Sequence, residues 1–269
     1  MEPELRIFAL SDPHLSRSQD KPMDIFGPHW TDHLRRISTA WDEVVGEEDL
    51  VLVPGDISWA MRLGEAIPDL EEFAARPGLK LFTKGNHDLW WPKKKRQFTL
   101  AGLPNMIFLH GRTFRMGPLG IAATRAWTIP GDSWFTEHDG EIYEKELRFL
   151  DEALAELGDA TIRLVMLHYP PFNNRLQPGG FVERIEKSGA THVIHGHLHG
   201  PGCGDATVRG EYNGVTYHLT SCDFIDFVPR LILDLPELSP GEWRVEPPPQ
   251  PFPPGVALVG PVVPPRTRK

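Results

Sequence analysis

The stretch Thr191-His-Val-Ile-His-Gly-His-Leu-His-Gly200 governs the interpretation of the rest of the chain. Its apolar residues predict a short strand, His192–Ile194, that runs into a glycine-broken loop carrying His197 and His199. Side chains alternate along an extended segment, so these two histidines point to the same side. Neutral imidazole is the commonest metal ligand in proteins. The stretch therefore predicts a metal-binding pair, with a solvated loop or a polar core cluster as the competing interpretations.

Length and composition are those of an ordinary globular chain. It has 269 residues, 40% of them hydrophobic, which is enough for one large domain or two small ones. Two cysteines, Cys203 and Cys222, are too few for a disulfide framework and suit a reducing compartment. No run approaches the roughly 20 apolar residues that span a bilayer, and no secretory signal is visible. We therefore expect a cytoplasmic protein without a membrane partner.

The charge balance bears on the class of partner. The formal net charge is −9 at pH 7. Long nucleic acid is bound through clustered Lys and Arg, so this balance argues against such a partner. A small phosphorylated substrate remains compatible, because the charge of a metal ion can dominate the field inside a cleft.

Apolar runs alternate with helical patterns along the first 235 residues. Continuous runs such as Leu50–Val53 are typical of strands buried on both faces of an α/β sheet. The helical pattern at 31–45 has Thr31 as its expected N-cap. The other predicted helices lie at 63–75, 141–157 and 180–187, and the other strands at 5–10, 79–83, 107–110, 119–124, 162–167, 215–220 and 230–235. We expect the last two strands to form an antiparallel pair.

The composition changes after Leu235. Residues 236–269 are dense in proline, which removes sheet hydrogen-bond donors and fixes an extended φ angle. We therefore predict one domain over residues 1–235 and a proline-rich C-terminal extension over 236–269, of polyproline or irregular conformation. The extension is also a candidate segment for contact between copies in an oligomer.

Polar residues directly follow several of the predicted strands. Five strands end directly in Asp, Asn or His: the residues are Asp12 and His14, Asp56, Asn86 and His87, His168, and His197 and His199. In α/β sheets, ligands bind outside the carboxyl ends of the strands, so these side chains should converge. One Asp after a strand is usually a turn residue or a helix cap. Five coincidences in residue types that bind metals instead favour a metal site.

The donor types indicate which metals would bind. Two carboxylates, one amide oxygen and several imidazoles, with no thiolate, suit Mn²⁺, Fe or Zn²⁺, and we expect Mn²⁺. A closed structural zinc site needs only four ligands, so this set is too large for one ion. Two divalent ions about 3.5–4 Å apart, bridged by a carboxylate, account for it. The net positive charge of such a centre favours a phosphate anion.

The motifs carry a family resemblance. In chain order they are Asp12-Pro-His14, Gly55-Asp56, Gly85-Asn86-His87-Asp88, His168 and Gly196-His197-Leu-His199. This ordered set resembles that of the calcineurin-like metallophosphoesterase superfamily over roughly residues 5–235. The full ordered set is highly specific for the superfamily, whereas any single motif would be weak evidence. The resemblance implies an α/β fold, a four-layer αββα sandwich of two mixed β-sheets flanked by helices.

The resemblance also implies residue roles. One ion would be held by Asp12, His14, Asp56 and His199. The second would be held by Asp56, Asn86, His168 and His197, so that Asp56 bridges the two. A metal-bridging hydroxide would attack phosphorus in line. His87 would protonate the leaving oxygen, which makes His87 and Asp56 the expected catalytic residues.

Departures from related motifs narrow the expected substrate. Protein Ser/Thr phosphatases continue the second motif as G-D-x-x-D-R-G, whereas this chain continues Ile57-Ser-Trp-Ala60. The phosphate-gripping Arg and the Asp that orients the catalytic His are therefore missing, and the group that orients His87 is left open. Lipid-A-pathway hydrolases of the superfamily often carry Arg where His87 stands. The compact G-H-x-H pairing is more similar to the cyclic-nucleotide phosphodiesterase branch and its bacterial relatives.

We therefore expect a dinuclear phosphodiesterase acting on small, cyclic or related nucleotide phosphodiesters. A broad-range phosphomonoesterase and a non-catalytic scaffold of the same fold are the alternatives. A metallo-β-lactamase-type hydrolase is disfavoured because its H-x-H-x-D-H run is absent.

Three further side chains are candidate substrate contacts. Trp59 and Trp90 follow the ligand motifs closely and could stack on a base, a contact worth about 1–3 kcal/mol. Packing at the rim of the sheet is the competing interpretation for both. Arg125 follows a predicted strand and could grip a phosphate.

Overall fold

The computed structural model describes residues 5–236 and Leu238. Within this part of the chain, twelve strands form: β1 Leu5–Ala9, β2 Leu50–Pro54, β3 Leu79–Thr83, β4 Gln97–Leu100, β5 Leu103–Leu109, β6 Arg112–Met116, β7 Leu119–Thr124, β8 Ile162–Leu167, β9 His192–His195, β10 Gly210–Tyr212, β11 Val215–Leu219 and β12 Arg230–Leu235. The α-helices are α1 His33–Val44, α2 Leu63–Ala74, α3 Glu137–Ala155 and α4 Gly180–Ser188. Short 3₁₀ helices span Met23–Phe26, Pro28–Trp30 and Cys203–Ala206.

The strands form two six-stranded sheets of matching design. The first has the order β12-β1-β2-β3-β5-β4 and the second the order β10-β11-β9-β8-β7-β6. In each sheet four central strands run parallel and both edge strands run antiparallel. Neighbouring parallel strands need a crossover connection, usually a helix. Helices α1 and α2 supply it in the first sheet, and α3 and α4 in the second.

Alternation along the strands divides the core into three apolar layers. In β2, Val51 and Val53 pack toward α1 and α2, while Leu50 and Leu52 pack toward the other sheet. A third layer lies between the second sheet and its two helices. Each fully buried apolar side chain stabilises the fold by about 1.5–3 kcal/mol. The predicted four-layer αββα sandwich is confirmed.

The longest helix, α3, begins four residues before the predicted start. Thr136 caps it: its hydroxyl accepts a hydrogen bond from the amide of Asp139, whose carboxylate accepts one from the amide of Thr136. This reciprocal capping box satisfies two amides that would otherwise lack partners. The apolar residues at helical spacing that predict this helix lie farther along, at Leu147, Leu150, Leu154 and Leu157, so periodicity alone placed the start too late.

Two sequence expectations need correction, and three strands were missed. Strands β11 and β12 form as predicted but do not pair with each other, because β11 lies parallel to β9 in the second sheet and β12 lies antiparallel to β1 in the first. Helix α1 begins after Asp32, which has a left-handed φ of 53°, so Thr31 is not its cap. The short edge strands β4, β6 and β10 were not predicted.

The predicted C-terminal extension lies outside the described residues, apart from Pro236 and Leu238. Leu238 is buried, and its carbonyl accepts a hydrogen bond from the amide of Leu5 at 3.1 Å. The division into a domain over 1–235 and an extension stays a prediction. None of the helices in the described part is long and apolar enough to cross a membrane.

Candidate metal centre

The carboxyl ends of the parallel strands from both sheets meet at one place. The first sheet contributes Asp12 and His14 after β1, Asp56 after β2, and Asn86 and His87 after β3. The second sheet contributes His168 after β8, and His197 and His199 after β9. The structure therefore brings together all of the residues that the sequence predicts as metal ligands.

These side chains form two groups of converging donors. Within each group the potential ligand atoms all lie within 4.8 Å of one another: Asp12, His14 and His199 in one, and Asp56, His168 and His197 in the other. Asn86 joins the second group, since its Oδ1 atom lies 2.7 Å from His168 Nε2. Asp56 connects the groups, because its Oδ2 atom lies 3.7 Å from His14 Nε2 and 3.5 Å from His168 Nε2.

The spacing of the donor atoms fits cations between them. Two ligand atoms bound about 2.1 Å from one ion are separated by about 3.0–3.4 Å, depending on the coordination angle. His14 Nε2 and His199 Nε2 lie 3.3 Å apart, and His199 Nε2 lies 3.5 Å from Asp12 Oδ1. Imidazole nitrogens and carboxylate oxygens aimed at one point at this separation are typical of a ligand set.

The backbone is strained at four of these residues. Asp12, His14, Asp56 and His197 have φ angles of 58°, 46°, 51° and 73°. Residues other than glycine rarely adopt this left-handed conformation, and such strain, of order 1–3 kcal/mol each, clusters at functional sites. The turns that carry the donors are therefore held by their surroundings in unfavourable conformations that aim the side chains inward.

Two motif glycines make room for the carboxylates. A Cβ atom on Gly85 would overlap Asp56 Oδ1, and one on Gly196 would overlap Asp12 Oδ2. Because only glycine permits this approach, the loops after β3 and β9 can close directly over the two acidic side chains. This contact gives a physical reason for the glycine that precedes each of these ligand motifs.

The sequence as a whole agrees with this geometry. Residues 5–201 match the sequence model of the family described as Calcineurin-like phosphoesterase. The chain belongs to the calcineurin-like phosphoesterase family. Among curated proteins, the Gene 66 protein of Mycobacterium phage L5 is 33% identical over 103 residues, which cover 38% of this chain and 49% of that protein. The chain thus spans about half the length of that curated relative.

Two similar solved structures share little sequence with this chain. A phosphopantetheinyl hydrolase from Mycobacterium tuberculosis has a TM-score of 0.53 and 16% identity, with 90% of this calcineurin-like chain and 100% of that chain covered. The protein TT1561 of Thermus thermophilus has a TM-score of 0.48 and 16% identity, with 78% and 90% covered. At this identity the first similarity shows the fold alone.

Burial and charge set opposite protonation tendencies on the two carboxylates. Burial and the neighbouring charge of Asp12 raise the pKa of Asp56 well above its ordinary value. Burial also acts to raise the pKa of Asp12, but its hydrogen bond to His199 and the charge of that imidazole hold the pKa below the usual range. Two buried carboxylates side by side repel each other, and cations placed between them would relieve that repulsion.

The imidazoles of the site also have pKa values that are shifted in opposite directions. Burial lowers the pKa of His168 to about 4 and that of His197 to about 3, so both are neutral at pH 7, the form that binds metals. His199 is the exception: burial acts to lower its pKa, but hydrogen bonds to Asp12 and Asp223 raise it to about 10. As a metal ligand His199 would have to be neutral, so metal binding there would release a proton.

Asp223 is a site residue that the sequence analysis missed. Its carboxylate accepts hydrogen bonds from His199 Nδ1 at 2.8 Å and from the amide of Gly200 at 2.9 Å. A second hydrogen bond of this kind fixes which ring nitrogen of a metal-binding histidine faces the metal. Asp223 follows β11, the fourth central strand of the second sheet, so the same rule of strand ends could have found it.

Asp88 ties two ligand loops together. Its carboxylate accepts hydrogen bonds from the amides of Ile57 at 2.9 Å and Gly85 at 2.8 Å. It also accepts one from the indole of Trp90 at 3.0 Å. The last residue of the Gly-Asn-His-Asp motif therefore joins the loop after β2 to the loop after β3, which positions Asp56 beside His87.

His87 lies at the open side of the site. Its side chain is 42% exposed, and its Nε2 atom lies 3.9 Å from Asp56 Oδ2. The amide of His87 donates a hydrogen bond to Asp56 Oδ1 at 2.8 Å. Its ring packs against Trp59, which also stacks on His14 with ring centroids 4.8 Å apart. Burial and the charge of Lys21 lower the pKa of His87.

A cleft of about 330 Å³ opens beside His87, and we call it the aromatic cleft. Its walls are Met23, Phe26, His29, Trp30 and Trp59. The imidazoles of His14, His87 and His199 open into it. The reactive side of the site therefore faces an aromatic surface.

The structure places the three predicted substrate contacts in different surroundings. Trp59 lines the aromatic cleft. Trp90 is 2% exposed and packs on Phe108, so it is a core residue and no substrate can stack on it. Arg125 donates to Glu146 at 3.2 Å and lies over the ring of Trp127, and its contact with phosphate stays a prediction.

Proposed function

We propose that this calcineurin-like phosphoesterase is a dinuclear metal-dependent phosphodiesterase that acts on small nucleotide or related phosphodiesters. One observation carries the proposal: two donor groups, connected by the approach of Asp56 to His14, lie beside His87. Family membership supports a metal-dependent phosphoesterase. The preference for diesters rests on the chemistry of this chain's own site.

The two donor groups divide the ligands between two ions. Asp12, His14, Asp56 and His199 would hold the first, and Asp56, Asn86, His168 and His197 the second. When bound, divalent ions lower the pKa of water from about 15.7 to around 7 and neutralise phosphate charge. Mixed oxygen and nitrogen donors without thiolate favour Mn²⁺ over a thiolate-selective metal.

His87 acts on the leaving group. An anionic substrate beside the imidazole raises its pKa, which offsets the lowering caused by burial. His87 then holds a proton at Nε2 next to the oxygen that departs from phosphorus. Asp56 keeps His87 in place through the backbone amide, and Trp59 does so through the ring.

The surroundings of His87 favour a diester over a monoester. A monoester dianion is best held by a bidentate Arg, and the second motif has Trp59 and Ala60 in the region where protein phosphatases carry Asp-Arg. The lining of the aromatic cleft, within the described residues, includes no Arg, and the nearby Lys21 lies over the Trp59 ring and cannot form a bidentate contact. A diester carries less charge and has a second organic group, which such a cleft can accommodate.

Turnover with added Mn²⁺ tests the proposal. We expect faster hydrolysis of bis-p-nitrophenyl phosphate than of p-nitrophenyl phosphate. Asp56→Asn should lose both bound metal and turnover, whereas His87→Ala should keep its metal and lose turnover of an alkyl phosphodiester, whose leaving oxygen needs a proton. His138→Ala, at an exposed histidine of α3, is the matched control and should behave as wild type.

Three results would count against the proposal. A faster monoester rate would indicate the broad-range phosphomonoesterase instead. Unchanged turnover in both Asp56→Asn and His87→Ala would reject the mechanism. Metal-loaded protein that cleaves no phosphate ester would favour the scaffold.

A further inference from the structure

We infer that the aromatic cleft is the leaving-group subsite and that it selects phosphodiesters whose leaving alcohol carries a planar aromatic ring system. This inference rests on the proposed function. It adds a substrate class that neither the ligand motifs nor the family match specifies.

The position of His87 makes the cleft a leaving-group site. Its imidazole forms part of the lining, together with His14 and His199 from the first donor group. A group seated in the cleft therefore has its ester oxygen next to the proton donor. In the reaction, an oxygen of water bonds to phosphorus, that water releases one proton to the solvent, and the bond from phosphorus to the ester oxygen breaks. The departing oxygen takes the proton from His87, and the alcohol remains in the cleft.

The walls of the cleft are held in place. Trp59 donates its indole N–H to Met23 Sδ at 3.4 Å, and Lys21 Nζ lies 4.5 Å from the Trp59 ring centroid. Trp30 packs edge to face on Phe227 with ring centroids 5.3 Å apart. The partly exposed indole of Trp59, backed by the buried indole of Trp30, offers flat surface without losing side-chain freedom when a ligand binds. This preorganisation favours a planar ring over a flexible chain.

The chemistry of the lining excludes the competing leaving groups. Apart from the imidazoles, the lining side chains are a thioether and three aromatic rings, with no carboxylate, amide or hydroxyl among the described residues. A hydroxyl-rich alcohol would lose many hydrogen bonds to water there and would find only imidazoles to replace them. Aromatic faces instead pair with an aromatic ligand in stacked or edge-to-face contact. At about 330 Å³ the cleft suits a small molecule and not a macromolecule.

Phe26 offers a clean site for a test. It lies at the mouth of the cleft with 62% of its surface exposed, so its replacement should not disturb the core. Trp134 is another aromatic residue with 62% exposure, in the loop before α3, and it does not line the cleft. Phe26→Ser and Trp134→Ser therefore form a matched pair.

The experiment compares two methyl phosphodiesters with Mn²⁺-loaded full-length protein. Their leaving groups are 2-naphthylmethanol and 2-methoxyethanol, primary alcohols of similar acidity. We expect kcat/KM to be at least tenfold higher for the naphthylmethyl ester in wild type. Phe26→Ser should reduce that ratio at least threefold, and Trp134→Ser should leave it unchanged. A ratio near one, or one that Phe26→Ser does not change, overturns the inference.

A binding measurement separates this inference from the proposed function. Calorimetry with 2-naphthylmethylphosphonate and 2-methoxyethylphosphonate, which are not hydrolysed, should show the same preference and the same effect of Phe26→Ser. Cleavage of bis-p-nitrophenyl phosphate without any naphthyl preference rejects the cleft and leaves the phosphodiesterase. Selective phosphonate binding without cleavage of any ester rejects the phosphodiesterase and the leaving-group role with it, and leaves the cleft as a binding site for aromatic groups.

Discussion

The indole of Trp59 lies against the imidazole of His87, with ring centroids 4.3 Å apart and planes inclined by 54°. Protein Ser/Thr phosphatases use an Asp from the same motif to orient the corresponding histidine, and this chain has no such Asp. The same indole stacks on His14. An aromatic contact thus occupies the place of a carboxylate, so the orientation of His87 depends on packing.

Trp59→Leu should impair protonation of the leaving oxygen. A displacement of about 1 Å in a catalytic group can cost about 100-fold, and we expect a loss of about 10- to 100-fold in kcat for an alkyl phosphodiester. Bis-p-nitrophenyl phosphate should lose much less, because nitrophenolate leaves without a proton. Steady-state kinetics on both esters, with metal content measured in parallel, checks this. Equal losses on the two esters would contradict a role acting through His87.

Gly85→Ala should abolish metal binding. The added methyl group would overlap Asp56 Oδ1, so the shared carboxylate must move. We expect metal content by elemental analysis to fall to background. Gly140→Ala is the control, because its Cβ would meet Phe135 at an ordinary 3.9 Å. Inside helix α3 that change should stabilise the protein by about 0.5–1 kcal/mol and keep the metal. Normal metal content in Gly85→Ala would be the contrary result.

Asp223→Asn should weaken the first ion site. The carboxylate accepts a hydrogen bond from His199 Nδ1, and loss of such an outer partner typically costs 10- to 100-fold in metal affinity. Titration calorimetry with Mn²⁺ measures the change. Asp205→Asn, at a side chain that is 88% exposed, should bind Mn²⁺ as wild type does. Wild-type affinity in Asp223→Asn would show that His199 needs no outer partner.

Glu146 should make the fold sensitive to acid. Burial acts to raise its pKa, but the charges of His110 and Arg125 outweigh burial and lower the pKa to about 2 from an ordinary 4.5. A depressed carboxylate pKa stabilises the fold fully above the ordinary pKa. That stabilisation, on the order of 3 kcal/mol, is lost as the pH falls from about 4.5 to about 2.

Urea unfolding at several pH values checks the role of Glu146. Glu146→Gln should have a free energy of unfolding that changes less with pH over that window than wild type. Glu141→Gln, at an exposed residue of the same helix, should follow the wild-type curve. Parallel curves for wild type and Glu146→Gln would exclude this carboxylate as a source of acid sensitivity.

The rule of strand ends anticipated the convergence of the site for a physical reason. Parallel strands expose their carboxyl ends at one edge, and a residue within a few positions of such an end has little freedom to lie elsewhere. Asp12, Asp56 and His168 all follow their strands this closely. Asp223 obeys the same rule, but a single Asp after a predicted strand resembles a turn residue, so sequence alone did not distinguish it.

Two of the errors concern features that depend on distant parts of the chain. Strands β11 and β12 follow each other in sequence, and such strands usually pair, yet nothing local encodes the crossing from one sheet to the other. Trp59 and Trp90 both follow ligand motifs. Only the packing of the loops decides that the first faces a cleft while the second donates to Asp88 and is buried.

Neither sheet on its own supplies a complete set of metal ligands. Every donor group takes oxygen ligands from the first sheet, such as Asp12 or Asp56, and imidazoles from the second, such as His199 or His168. Each bound ion would therefore cross-link the two sheets. The free energy of metal binding would then add to the free energy of folding. Metal starvation would then threaten the lifetime of the protein as well as its turnover.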